Sequence, residues 1–291
     1  MKLTKQEYII KQIAKTNKKN FENYVVTRLV HSLNTSEVKF LTQQYVKRPT
    51  GHALTDMYLP QIELHIEIDE PFHKKQVVSD LDRELDIINA TNHQIRRIKI
   101  TDSIENLNNQ IDELLIFINS KIKESKSKGD FKPWNYEEEF DPNYWRSKGE
   151  LNLKDNPRFR TILDACNCMG QNYVNCQKAF YRSKHYRDYH LWFPKFYENE
   201  DWDNSISDDG LTIREICKNS EKAIKHFENS KGYDSTRIVF PRSVDNLGLK
   251  LYSFKGIFKT DIDASSIEGG VIHRRINTKI SVPKSAAVYH S

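Results

Sequence analysis

No apolar run among the 291 residues approaches the roughly 20 that a membrane-spanning helix needs. The opening MKLTKQEYIIKQIAKTNKK has no uninterrupted apolar core of the kind a signal peptide carries. These absences lead us to expect a cytoplasmic protein with no membrane partner. Cysteine is sparse: Cys166, Cys168, Cys176 and Cys217 all lie in the second half, too few for a disulfide framework and suited to a reducing compartment. Cys166-x-Cys168 with Cys176 and His185 lacks the paired C-x-x-C knuckles that mark structural zinc sites. The 10 glycines form no phosphate-cradling loop, which argues against P-loop and dinucleotide-binding chemistry. There is no internal repeat and no low-complexity tract. The surplus of Lys and Arg over Asp and Glu, 45 to 40, is too mild to name a polyanionic partner by itself.

What is present suffices for a folded core: hydrophobic residues make up 37% and charged residues 29%. The length favours two domains. Residues 4–16 and 20–33 have helical apolar spacing, with Asn20 as a plausible N-cap for the second segment. KFLTQQYVKR, ALTDMYLP and IELHIEID then read as strands, 75–91 as a helix, IRRIKI as a strand and ENLNNQIDELLIFINSKIKES as a long amphipathic helix. This order predicts an α/β domain over 1–125 in which helices flank a mixed sheet. Residues 126–150 lose the apolar period and read as a linker. Residues 151–291 read as a strand-rich α+β domain with one clear helix, LTIREICKNSEKAIKHFENS.

The stretch HIEIDEPFH concentrates acid in a basic chain. In a strand, Leu64, Ile66 and Ile68 share one face, and His65, Glu67 and Asp69 project from the other. Such a face is ordinarily just solvated. Two carboxylates at this spacing repel unless a cation lies between them, however, and ALTDMYLP brings Asp56 roughly across from Glu67 if the two runs form a hairpin. Oxygen ligands with room for water and substrate suit Mg²⁺ and phosphodiester hydrolysis.

This pattern resembles the PD-(D/E)xK nuclease fold, in which an acid on one strand and an acid-x-lysine on the next bind the metal. Here Asp69 stands at the lysine position. His73 is a candidate substitute, able to take a proton from water or give one to a leaving oxygen near neutral pH. That mixture of carboxylates and histidine resembles the Vsr-type branch of the fold. Glu22, on the second predicted helix, fits the position from which nucleases of this fold often add an acid, and it also reads as an ordinary exposed helix glutamate.

In DWDNSISDDGLTIREICKN, Trp202, Asn204 and Glu215 supply an aromatic ring, an amide and a carboxylate, the groups that hold a flipped base. Such residues are also common on loop surfaces. Arg48, Arg96, Arg97, Arg274 and Arg275 are candidate phosphate contacts, with plain surface charge as the alternative for each.

Across nearly the whole chain, FENYVVTRLVHSL, the run from VKFLTQQYVKR to IEIDEPFHKKQ, ATNHQIRRIKI, WDNSISDDGLTIREI and LKLYSFKGIFKTD resemble the modification-dependent restriction endonucleases related to AbaSI. The resemblance implies a Vsr-like nuclease domain followed by an SRA-like domain that flips the modified base. It also implies a Mg²⁺-dependent homodimer acting on double-stranded DNA that carries 5-hydroxymethylcytosine, free or glucosylated, and cutting at a distance from it. Metal binding or catalysis would fall to Asp56, Glu67, Asp69, His73 and Glu22, and the base pocket to Trp202, Asn204 and Glu215. Two readings compete with this one. A catalytically inactive reader of modified DNA is suggested by the missing lysine, and a Vsr-like mismatch nickase would leave the second half without a role.

Overall fold

In a computed structural model of the chain, which describes residues 3–49, 51–69, 77–136, 138–197, 199, 201–231 and 236–283 and only the backbone over 77–83, Thr4 and Glu7 form a capping box at the start of α1 (Lys5–Ala14). Helix α2 (Asn20–Leu33) begins without a side-chain cap. Lys19 holds the cap position, and Asn20, the expected cap, is the first helical residue. One face of α2 is buried through Val25, Val26 and Leu29. The strands β1 (Leu41–Arg48), β2 (Gly51–Leu59), β3 (Leu64–Asp69) and β4 (Gln94–Lys99) form one sheet in that order. The first two junctions are antiparallel, and β3 pairs parallel with β4 through α3 (Val77–Thr91). Helix α4 (Ile104–Lys128) buries Leu107, Ile111, Leu114, Ile118 and Ile122 at the three- and four-residue spacing that makes one apolar stripe. That stripe packs with α2 and with Met57, Leu59, Leu64, Ile66 and Ile68. Ile87 of α3 forms a separate cluster with Val46 and Ala53.

The chain divides into two units, Met1–Glu137 with Asn246–Gly248 and Glu138–Asp245 with Leu249–Ser291. The stretch expected to be a linker is structured at both ends. Helix α4 runs to Lys128, Trp134 and Tyr136 are buried, and α5 spans Pro142–Lys148. The cause is local packing without periodicity: Trp134 meets Tyr8 edge-on at 5.2 Å and carries Lys5 over its ring at 4.6 Å. Isolated aromatics of this kind leave no apolar period for a sequence reading to find.

The second unit is built on a seven-stranded sheet. Its order is β7 (Phe180–Arg182), β8 (Tyr189–Trp192), β11 (Thr236–Val239), β14 (Gly256–Ser266), β15 (Gly270–Asn277), β10 (Thr212–Glu215) and β9 (Ser205–Ile206). The strands β12 (Arg242–Val244), β13 (Lys250–Ser253) and β6 (Arg158–Phe159) make a three-stranded sheet, and β16 (Lys279–Ser281) pairs with β5 (Glu150–Asn152). A short helix, α6 (Ile162–Cys168), packs its cysteines with Phe159, Phe240 and Phe254 in the core. The expected helix over 211–230 is corrected: only α7 (Ser220–Lys231) is helical, and Thr212–Glu215 is a strand. Ile213 and Glu215 are buried and Arg214 is exposed, a two-residue alternation. The helix starts where Asn219 Oδ1 accepts from the N–H of Lys222 at 3.0 Å.

Candidate functional site

The β2–β3 ladder pairs Leu59 with Leu64, Tyr58 with His65 and Met57 with Ile66. Continued one step, this register sets Asp56 opposite Glu67. Asp56 Oδ2 instead accepts the N–H of Ile68 at 2.8 Å, tying its carboxylate to the neighbouring strand. Both acids are buried, and so is Glu22, which α2 presents from its first turn. One Glu22 oxygen pairs with Lys19. The other accepts from Gln43 Nε2 at 2.8 Å, and the same nitrogen donates to Asp56 Oδ1 at 3.3 Å. Burial, reinforced by the charge of Asp56, raises the Glu22 carboxyl above the usual range despite Lys19.

Asp69 is turned elsewhere. Its Oδ1 lies 2.8 Å from Arg97 Nη1, and Arg97 Nε reaches Glu84 at 2.9 Å. Burial works against the Arg97 charge, but the Glu84 hydrogen bond and the charges of Asp69, Glu84 and Glu67 hold it above its ordinary value. His65 is likewise committed, with Nδ1 2.9 Å from Thr55 Oγ1 and Nε2 3.1 Å from His93 Nδ1. The structure therefore brings Glu22 and Asp56 together, sets Glu67 opposite Asp56 and sends Asp69 to Arg97. His73 lies outside the described residues. Among the described residues no group of three or more His, Cys, Asp or Glu is arranged to hold a metal ion. The donor chemistry still fits one: Glu22, Asp56 and Glu67 are buried carboxylates with hard oxygen atoms, and a nitrogen donor already bridges two of them.

In the second unit, Ile206 pairs with Ile213, Ser205 with Arg214, and Trp202 bridges to Cys217. The same register places Asn204 opposite Glu215, so Trp202, Asn204 and Glu215 stand on the two arms of one hairpin. All three line a cavity of about 720 Å³, together with Phe180, Trp192 and Arg237 from the sheet and His226 from α7. This lies within the roughly 300–1,000 Å³ range of pockets that bury small molecules. Glu215 Oε2 is 3.1 Å from Arg237 Nη1, 3.2 Å from His273 Nε2 and 3.2 Å from His226 Nε2. Burial opposes the Glu215 charge, but contacts from His226 and His273 and the Arg237 guanidinium hold its carboxyl well below the usual range. It is an ionised acceptor at neutral pH. Asn204 Oδ1 is buried with no hydrogen-bond partner among the described residues. Trp202 meets His226 edge-on at 4.9 Å.

Sequence reasoning missed Arg237, His273 and His226. The first two sit in strand-like runs as polar residues at inward positions, a signal of a buried polar site that was legible in principle. The five arginines considered for phosphate contact all have internal partners. Arg48 pairs with Asp86, Arg97 with Asp69 and Glu84, and Arg274 with Asp261; Arg96 lies over Phe117; Arg275 donates to the Asp209 carbonyl. Burial raises the thiols of Cys166 and Cys168. No helix among the described residues is long and apolar enough to cross a membrane.

The family model for the N-terminal domain of PvuRts1 I-like restriction endonucleases matches residues 6–141, and the model for the SET and RING associated (SRA) domain matches residues 144–282. No curated protein matches the chain. Among solved structures, one titled "The 5-Hydroxymethylcytosine-Specific Restriction Enzyme AbaSI" is 33% identical, aligns over 96% of this chain and 98% of its own, and superposes with a TM-score of 0.68. The chain belongs to the family of PvuRts1I-like restriction endonucleases that includes AbaSI, with a nuclease domain followed by an SRA domain.

Proposed function

We propose that the protein is a Mg²⁺-dependent endonuclease that hydrolyses double-stranded DNA containing 5-hydroxymethylcytosine or its glucosylated form, cutting at a distance from the modified base. It would act as a homodimer in defence against phages with such genomes. The observation that carries this reading is the cavity lined by the ionised Glu215 and by an Asn204 oxygen that has no partner among the described residues. Arg237, His273 and His226 all act on Oε2 of Glu215, so its other oxygen is the one left to accept from the exocyclic amine of a cytosine. Asn204 offers its amide to the rest of the base edge, and Trp202 stacks on the ring. The cavity leaves room for a substituent at C5, and a sugar there would find polar partners on α7 at Asn229 and Ser230.

In the first unit, Asp56, Glu67 and Glu22 would hold the metal, with Asp69 and His73 completing the site. The ion, when bound, supplies a more acidic water and neutralises charge on the phosphate. The protein's own part is to aim the carboxylates. Ile68 N–H fixes Asp56, and the ion pair with Arg97 fixes Asp69. His73 would take or return a proton. A second reading, an inactive reader of modified DNA, is favoured by one observation: the residue at the usual lysine position, Asp69, is spent on Arg97.

Digestion of three identical duplexes carrying cytosine, 5-methylcytosine or 5-hydroxymethylcytosine, with Mg²⁺ or EDTA, decides between the two. Metal-dependent cutting restricted to hydroxymethylated DNA supports the endonuclease. Selective binding without any cutting supports the reader. Glu67→Ala should abolish cleavage and spare binding, and retained cutting by this variant would refute the role given to Glu67.

A further inference from the structure

Gln43 lies inside β1 with φ of +52°, a left-handed conformation that is costly for any residue with a Cβ. The strand's two-residue period breaks there. Thr42 bonds Gln12 of α1, whereas Val46, an even number of residues further on, packs with Ile87 of α3. The β1–β2 ladder omits the same step, passing from Thr42 with Met57 to Gln44 with Thr55. The residue facing Gln43 across that gap is Asp56. A kink alone needs only a positive φ, which glycine or asparagine supplies at lower cost. The residue present is instead a long primary amide.

That amide turns onto the acids. Its nitrogen donates to Glu22 Oε2 at 2.8 Å and to Asp56 Oδ1 at 3.3 Å, and its oxygen accepts from Lys19 Nζ at 3.4 Å. A primary amide has two N–H donors, and both go to carboxylates that arrive from different elements and repel each other. We propose that Gln43 is the positioning residue of the nuclease site: its amide takes the place of a divalent cation between Glu22 and Asp56, holds their oxygens toward one point, and gives way when metal loads. The inference rests on the reading of these acids as cation ligands given under the proposed function. It explains why no three-ligand group is preformed among the described residues: the shared position is filled by a nitrogen donor.

The test compares thermal unfolding of the full-length protein in EDTA and in Mn²⁺, with Mn²⁺ titration by calorimetry, for wild type, Gln43→Gly and Gln43→Glu. Gln43→Gly relieves the backbone and deletes the amide. It should melt lower than wild type in EDTA yet gain more from Mn²⁺ and bind it about fivefold more tightly, the worth of roughly one net hydrogen bond no longer displaced. Gln43→Glu puts a third charge in the same place and should show a still larger metal gain. A metal response equal to wild type in these variants would reduce Gln43 to a backbone kink. A weaker one in Gln43→Gly would make it a ligand. Either result overturns the proposal, and if the glycine variant fails to fold, Gln43→Asn, which tolerates the left-handed backbone and shortens the amide, takes its place with the same expected outcomes. Failure of the underlying reading is separate: it appears as a wild-type protein that does not respond to Mn²⁺ at all.

Discussion

Asn204 and Glu215 sit across from each other on one hairpin with opposite hydrogen-bonding states. One Glu215 oxygen bonds Arg237 and His273 and has His226 Nε2 3.2 Å away, and the Asn204 oxygen has no partner among the described residues. A buried acceptor without a partner costs stability in the free protein and regains it when a ligand donor arrives. The carboxylate is a structural hub as well as a candidate contact.

Asn204→Ala should therefore separate stability from recognition. It removes an unsatisfied buried group, so the melting temperature should hold or rise slightly. Affinity for hydroxymethylated duplex, read by fluorescence anisotropy, should fall roughly tenfold or more, the scale of a lost hydrogen bond to a base edge. A variant that loses stability and keeps its affinity would show that Asn204 serves the hairpin rather than the base.

Glu215→Gln should fail in both respects. The substitution leaves Arg237, which is 6% exposed, without its counter-charge. Breaking a buried pair from one side costs about 3–5 kcal/mol, so a clear drop in melting temperature should accompany the loss of binding. Unchanged stability would mean that His226 and His273, rather than the ion pair, govern this corner of the sheet.

How far the sequence reached depended on whether a residue acted through period or through a single contact. The stripe of α4 was legible because burial repeats at fixed spacing. The apolar alternation of Leu64, Ile66 and Ile68 marked β3 as a strand, but not that His65 and Glu67 on its other face are buried as well. The candidate metal-binding acids followed from that alternation plus a hairpin register, which is why Asp56 was expected near Glu67. Helix propensity in IREICKN hid β10, because Ile213 and Glu215 turn inward only in the company of β15, a partner nearly 60 residues away. Gln43 was invisible for the same reason: its left-handed backbone and two acid partners depend on α2 and β2 together. The partners of the five arginines were likewise tertiary.

Asp56 should respond differently to two substitutions. Asp56→Asn keeps an oxygen for the N–H of Ile68, so folding should be near normal while cleavage is lost. Asp56→Ala leaves that buried N–H unpaired, at about 1–3 kcal/mol. Urea unfolding of both variants checks the difference, with unmodified DNA as a cleavage control. Equal stabilities would mean that another group or a water reaches Ile68.

Acid sensitivity of the first unit should trace to His65. Burial, with His93 beside it, pushes His65 down to about 3 from an unfolded value of 6.5, so the folded ring stays neutral while the unfolded one protonates. Its two ring nitrogens face Thr55 and His93, and a shared hydrogen bond between two imidazoles needs one donor and one acceptor. The sign follows from proton counting: below pH 6.5 the unfolded state binds more protons, so stability is full above that value and declines as pH falls toward about 3. The decline for one such histidine is at most about 1.4 kcal/mol per pH unit. His65→Gln retains an amide for Thr55 and His93 and removes the titration. Its stability, measured by urea unfolding from pH 7 to pH 4.5, should fall less steeply than that of wild type. Parallel slopes for the two proteins would assign the acid sensitivity to His93 or to carboxylates elsewhere.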